Sequence, residues 1–205
     1  MKHYFLVTLF ITLFFSSCQK TNIQLAKVGS SQLAEVDNYS SIYFNYDSVA
    51  HSLAVNDHNR ISNTHWLFHI DKRLTMKVLL PTWRALLLKR SKSPHEEGAH
   101  EWYFTAFDTI KKKPALIDGS RLTFLETIHV KNALFLSSTG KTYCNDTLIN
   151  TTAWFENRFL QHEKTVILID PALSFQQWIT HYSGLELLAS KYKTTINVQL
   201  KMQHK

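Results

Sequence analysis

Apolar residues open the chain as a single block and then recur in short, spaced groups. The block is Tyr4 to Phe15 (YFLVTLFITLFF), 12 residues long. From Gln19 to Ser41 single apolar residues are scattered among polar ones with no sustained period, which reads as a tether. Past Ser41 the pattern becomes that of a folded region. TVILI, just before Asp170, is a buried strand in outline, and 101–107, 121–130, 133–137 and 194–200 are rich in β-branched or aromatic residues as strands require. Helical spacing follows Asp170: Phe175, Trp178, Tyr182, Leu185, Leu188 and Tyr192 recur at intervals of three and four, one apolar stripe. Met76, Leu79, Trp83 and Leu86 form a second stripe in the same phase after Asp71. Pro81 lies within it, where a proline removes a hydrogen bond and clashes with the preceding turn, so this helix should kink or restart there. NTTAWFENRF adds a shorter helix, with Asn150 or Thr151 as its cap.

The two stripes belong to a wider internal match. HWLFHIDKRL, from His65, aligns with KTVILIDPAL, from Lys164, setting Ile70-Asp71 over Ile169-Asp170 and Leu74 over Leu173. A further match sets IYFNYDSV at 42–49 over TYCNDTLI at 142–149. Short strands mixed with helices give an α+β expectation: two small strand-helix-strand-helix-strand units, a first at 42–130 and a second at 131–205. Asp71 and Asp170 each follow a strand, and Pro171 suits the first helical position, so both aspartates are expected as structural helix N-caps.

The opening block is too short to cross a bilayer as a helix, which takes about 20 residues. With Lys2 before it and Ser16-Ser17-Cys18 after it, it has the form of a secretion signal over residues 1–17. The cysteine after the small pair resembles the lipobox of bacterial lipoproteins, with Phe15 where Leu is usual. That resemblance implies cleavage before Cys18, a diacylglycerol on its thiol, palmitate as a further modification, and a membrane-anchored lipoprotein on the periplasmic side of a Gram-negative envelope, with residues 18–41 as lipidated cysteine and tether. Cys144 is then left without a partner and is expected as a small apolar residue in a strand, so the mature 188 residues must hold together by burial rather than by disulfides.

Lys and Arg outnumber Asp and Glu by 23 to 16, and Lys89-Arg90-Ser91-Lys92 and Lys111-Lys112-Lys113 concentrate the excess. A basic surface favours anionic partners. In an exported protein these are lipid headgroups or cell-wall polymers, and nucleic acid is excluded by compartment.

Gly140 to Asn145 (G-x-x-Y-x-N), then a helix, an apolar strand closed by Asp170, Leu173 and Phe175, a helix and a last strand together resemble the periplasmic domain of the ExbD/TolR family. The resemblance covers Lys131 to Leu200 and, more faintly, Ser41 to Leu88. It implies a small binding module without enzymatic activity or cofactor, an accessory unit of the envelope. The family's membrane-spanning helix with its proton-carrying carboxylate is missing from the chain, so proton coupling is not implied.

The competing expectation is a metal-dependent hydrolase. His95 and His100 bracket HEEGAH, but on a helix they would stand about 140° apart, unlike the i, i+4 pair of a zinc motif. His58, His65 and His69 with Asp71 are the other candidates, since His65, His69 and Asp71 share one face of a strand. Ser138-Thr139-Gly140-Lys141-Thr142 ends like a phosphate loop but has Phe135 where glycine is required, and no nucleophile-elbow motif occurs.

Overall fold

The computed structural model describes residues 23–29, 35–58, 63–91, 101–124, 133–150, 152–154, 157, 165–191 and 198–202. The fold is α+β. Its strands are β1 (Ala26–Val28), β2 (Tyr39–Asp47), β3 (Ser52–Asn56), β4 (His65–Ile70), β5 (Trp102–Asp108), β6 (Lys113–Asp118), β7 (Leu122–Phe124), β8 (Leu134–Leu136), β9 (Thr142–Cys144), β10 (Thr147–Leu148), β11 (Thr165–Ile169) and β12 (Val198–Met202). Helix α1 is Met76–Arg90, between β4 and β5, and α2 is Phe175–Lys191, between β11 and β12.

Two sheets form. In the first, β4 pairs in parallel with β2 on one side and β5 on the other, and β3 returns antiparallel along β2. β6 occupies the far edge of β5, so β1 shares the near edge with β4 and pairs with Ala106–Asp108, beyond Phe68–Phe104 where the pairing of β4 with β5 stops. In the second sheet β11 lies between parallel β8 and β12, β9 returns antiparallel along β8, and β7 and β10 close the two sides. The order β5-β4-β2-β3 in one sheet and β12-β11-β8-β9 in the other is therefore the same, with the same directions.

Alternation fixes which face of the first sheet is buried. Ile42 and Phe44 on β2, Trp66, Phe68 and Ile70 on β4, and Phe104 and Ala106 on β5 are all buried on the helix side. The apolar stripes of α1 and α2 meet them: Trp83 lies edge-on to Phe104 and to Trp178, with ring centroids 5.0 and 5.6 Å apart, and Phe104 also meets Trp178 at 5.3 Å. Trp83 reaches Phe124 of β7 as well. Both helices thus lie between the sheets, and one hydrophobic core joins all three layers. Each helix starts at the end where the parallel strands finish. At the far end of α1, Arg90 donates to Thr64 O, and Tyr182, midway along α2, donates to Asp118 O.

Several expectations change. The tether is shorter than Gln19 to Ser41, because Ala26 and Val28 are buried in β1 and β2 already begins at Tyr39. The first unit ends near Asp118 rather than at 130, since β7 joins the second sheet. The match of 42–49 with 142–149 is out of register: Asp71 N donates to Phe44 O and Asp170 N to Leu136 O, so β2 corresponds to β8 and not to β9. α1 runs as one element through Pro81, whose side is exposed. Asn150 does cap the helical turn at 152–154, accepting from Ala153 N at 3.2 Å.

Candidate functional site

Asp71 and Asp170 occupy equivalent tight turns. In each the carboxylate accepts from the N–H two residues on, Arg73 at 3.0 Å and Ala172 at 2.9 Å, while the carbonyl accepts from Leu74 or Leu173. The remaining oxygen ties down a distant segment: Gln24 N at 3.2 Å for Asp71, and Ser138 N and Oγ at 3.2 and 2.8 Å for Asp170. Arg73 adds a bidentate ion pair to Asp71 at 2.8 and 2.9 Å and stacks its guanidinium on Tyr46, 4.7 Å from the ring centre. Burial alone would raise the Asp71 carboxyl, but the Arg73 side chain, the two backbone donors and the Arg73 charge together hold it below the ordinary carboxylate range.

Neither aspartate is a helix N-cap, because four residues intervene before each helix. Thr75 is the cap of α1, in extended backbone and without a side-chain bond. Ser174 precedes α2 and forms a capping box with Gln177: Gln177 N donates to Ser174 Oγ, and Ser174 N donates to Gln177 Oε1 at 3.0 Å. The S-x-x-Q spacing at 174–177 carried that signal in the sequence.

Between the turns the main chains cross. Met76 N donates to Leu173 O at 2.8 Å and Phe175 N to Leu74 O at 2.7 Å. Lys77 N to Pro171 O at 2.9 Å and Gln176 N to Lys72 O at 3.2 Å repeat the exchange one step out. Every bond has its counterpart with the two halves swapped. Gln176 also clasps the open edge of β1, taking Lys27 N at 2.8 Å and donating to Lys27 O at 2.7 Å.

The outer face of the first sheet carries the histidines. His65 and His69 share that face as expected, but they stand four positions apart along the strand, about 13 Å. His65 Nδ1 accepts from Glu101 N at 3.2 Å, whereas Asp71 turns toward Arg73 and Gln24. His58 is exposed in a turn after β3. These residues are not brought together, which corrects the shared His-Asp site. Among the described residues no three His, Cys, Asp or Glu side chains are grouped as a metal would require. His95 and His100 lie outside the described residues, as does Cys18.

His69 is held on both sides. Its Nε2 lies 3.1 Å from Ser41 Oγ and its Nδ1 3.1 Å from Thr105 Oγ1, and Tyr43 stacks over the ring at 4.6 Å. Thr105 has one hydroxyl proton, which it gives to Phe68 O at 3.3 Å. It therefore accepts from Nδ1–H, leaving Nε2 to accept from Ser41. Burial pushes the imidazole down to about 4, so it stays neutral at neutral pH. A base that weak has little pull on a serine proton. What the arrangement does well is fix three strands' side chains in one row beside Tyr43 and Tyr39, which are 36% and 52% exposed.

No protein-family model, curated protein or solved structure matches the chain. Its own geometry carries the functional argument. Cys144 is half-buried on β9 as a free thiol, packed against the core. The three lysines 111–113 are exposed at the turn from β5 to β6.

Proposed function

We propose that this protein is a lipid-anchored, non-catalytic binding or accessory module of a bacterial envelope, built from two copies of one ExbD/TolR-like unit. The observation that carries the reading is the matched crossing at Leu74–Lys77 and Leu173–Gln176, flanked by the equivalent Asp71 and Asp170 turns and by two sheets of one strand order. A duplicated unit whose copies pack about a two-fold axis produces that pattern directly. The second half also follows the order on which the family resemblance rests, with a hairpin, a helical turn, β11 closed by Asp170, α2 and β12.

Binding rather than catalysis is supported by where the polar groups are spent. Asp71, Asp170 and His69 each hold their own fold together, through backbone amides, Arg73, and the hydroxyls of Ser41 and Thr105. Tyr39 and Tyr43 are left on the outer face of the first sheet, where aromatic side chains suit protein recognition. No described helix is long and apolar enough to cross a membrane, so attachment in this reading rests on Cys18. Replacing Cys18 by Ala should abolish incorporation of a palmitate analogue and release the protein from the membrane fraction. Sedimentation of that variant as an uncleaved precursor would replace the lipoprotein by a signal anchor.

A further inference from the structure

Among the described residues, one end of the molecule gathers most of the exposed positive charge together with the two most exposed large aliphatic side chains. β2 and β5 both run toward this end, so the turns 48–51 and 109–112 project from it at the two flanks of the first sheet. Val49 tips one turn and Ile110 the other, 89% and 73% exposed. Lys111, Lys112 and Lys113 follow Ile110, all exposed. Between the turns lie Lys27 on β1, and Arg73 and Lys77 beside the start of α1, also exposed.

The acids at this end are engaged within their own turns, Asp71 and Asp108 buried, Asp170 half-buried and Asp47 exposed. Asp47 accepts from Val49 N and Ala50 N, Asp108 from Ile110 N and Lys111 N, and Asp170 from Ser138 N and Ala172 N, while Asp71 holds Arg73. Both helices begin here, adding the positive ends of their dipoles. The opposite end is mixed, with Arg121 paired to Asp118 and Glu186. Gln24 is fastened to Asp71 at the basic end. It follows Cys18 by six positions, a reach of roughly 20 Å when fully extended. A lipid on Cys18 would therefore hold this end, and not the other, against the bilayer.

We infer that this end seats on an anionic bilayer surface, with Val49 and Ile110 entering the headgroup layer and the lysines facing lipid phosphates. The inference rests on the lipid-anchor reading. Each basic residue at such a surface strengthens binding roughly fivefold at moderate salt, and the aliphatic tips add an apolar contribution that salt does not screen.

The test is lysine acetylation of the purified full-length protein, mapped by mass spectrometry in phosphatidylglycerol vesicles, phosphatidylcholine vesicles and detergent. The expected result is slower reaction at Lys77 and Lys111–Lys113 in phosphatidylglycerol only, reversed by high salt, with Lys89 at the far end of α1 unchanged. Val49→Asp combined with Ile110→Asp, both exposed changes, should remove most of that protection. Equal reactivity in phosphatidylglycerol and detergent overturns the inference, as does equal protection in both lipids, which would reflect tethering alone. Protection by soluble heparin without protection by phosphatidylglycerol would assign the face to a polyanion and overturn it as well. The intact mass reports the anchor separately: protection by added phosphatidylglycerol vesicles in a protein lacking acyl mass would keep this surface and remove the lipoprotein reading.

Discussion

At the scale of single residues, Gly119 has the least latitude. A Cβ built there would lie 2.1 Å from Trp102 Cζ3, and the Trp102 indole is wedged edge-on between Trp83 and Phe104 at 5.1 and 5.3 Å. The ring has nowhere to move without opening the core. Gly119→Ala should therefore cost about 1–3 kcal/mol, read as a lower denaturation midpoint at unchanged slope. His69 makes a second prediction, about pH. Its folded value of about 4 lies below the ordinary 6.5, so between those values the unfolded chain binds the proton that the native state refuses. Stability should fall as pH drops from about 6.5 toward 4, by roughly 3 kcal/mol at most. His69→Gln should flatten that part of the pH–stability curve, whereas a slope unchanged in the variant would place the titrating group elsewhere. The lowered Asp71 carboxyl contributes in the same direction but further into acid, its stabilisation present above the ordinary carboxylate value and lost as pH falls through the folded one.

Elements differ in how fully the sequence declares them. The stripes of α1 and α2 are long and periodic, and Met76, Leu79, Trp83, Leu86, Phe175, Trp178, Tyr182 and Leu185 are all buried as that period requires. β4, β5 and β11 are likewise legible, being rich in aromatic and aliphatic residues. β1 is not, because three residues with one lysine make no pattern; it fills the edge of β5 left open where β4 parts from β5 after Phe68, which only tertiary structure reveals. The register error between the halves has a different cause. The strand at 133–137 is legible, but it shares no residue pattern with β2, whereas Tyr43-x-Asn45 and Tyr143-x-Asn145 match and set β2 over β9. The aspartates misled because the sequence shows an acid before a helix but not how many residues of turn intervene. Helix α2 is held at its start by the Ser174–Gln177 box, and Ser174→Ala should cost about 1 kcal/mol. Because Gln177 also donates to Ser138 O at 2.7 Å, faster hydrogen exchange should appear in the turn at 137–140 as well as in the first turn of α2.

At the scale of the whole molecule, the question is whether two units of the same strand order behave as one. Their helices do not stay with their own sheets: Trp178 of α2 packs on Phe104 of β5, and Trp83 of α1 packs on Phe124 of β7. Each half thus lends the other part of its core, and the backbone exchange at Leu74–Lys77 fastens the two together where the helices begin. Neither half could expose its helix without exposing the other half's sheet. Cooperativity should therefore extend across both, giving one unfolding transition with coincident midpoints by fluorescence and far-ultraviolet circular dichroism. Trp178→Ala makes the sharper test. Removing a fully buried indole costs about 3–5 kcal/mol, and because Trp178 touches Trp83, Phe104, Phe175 and Tyr182, the loss should lower hydrogen-exchange protection in β4 and β5 as much as in β11. Protection lost from β11 alone, with β4 and β5 unchanged, would mean two separately folding halves joined only at the crossing, and the shared core would then count for little in holding the molecule together.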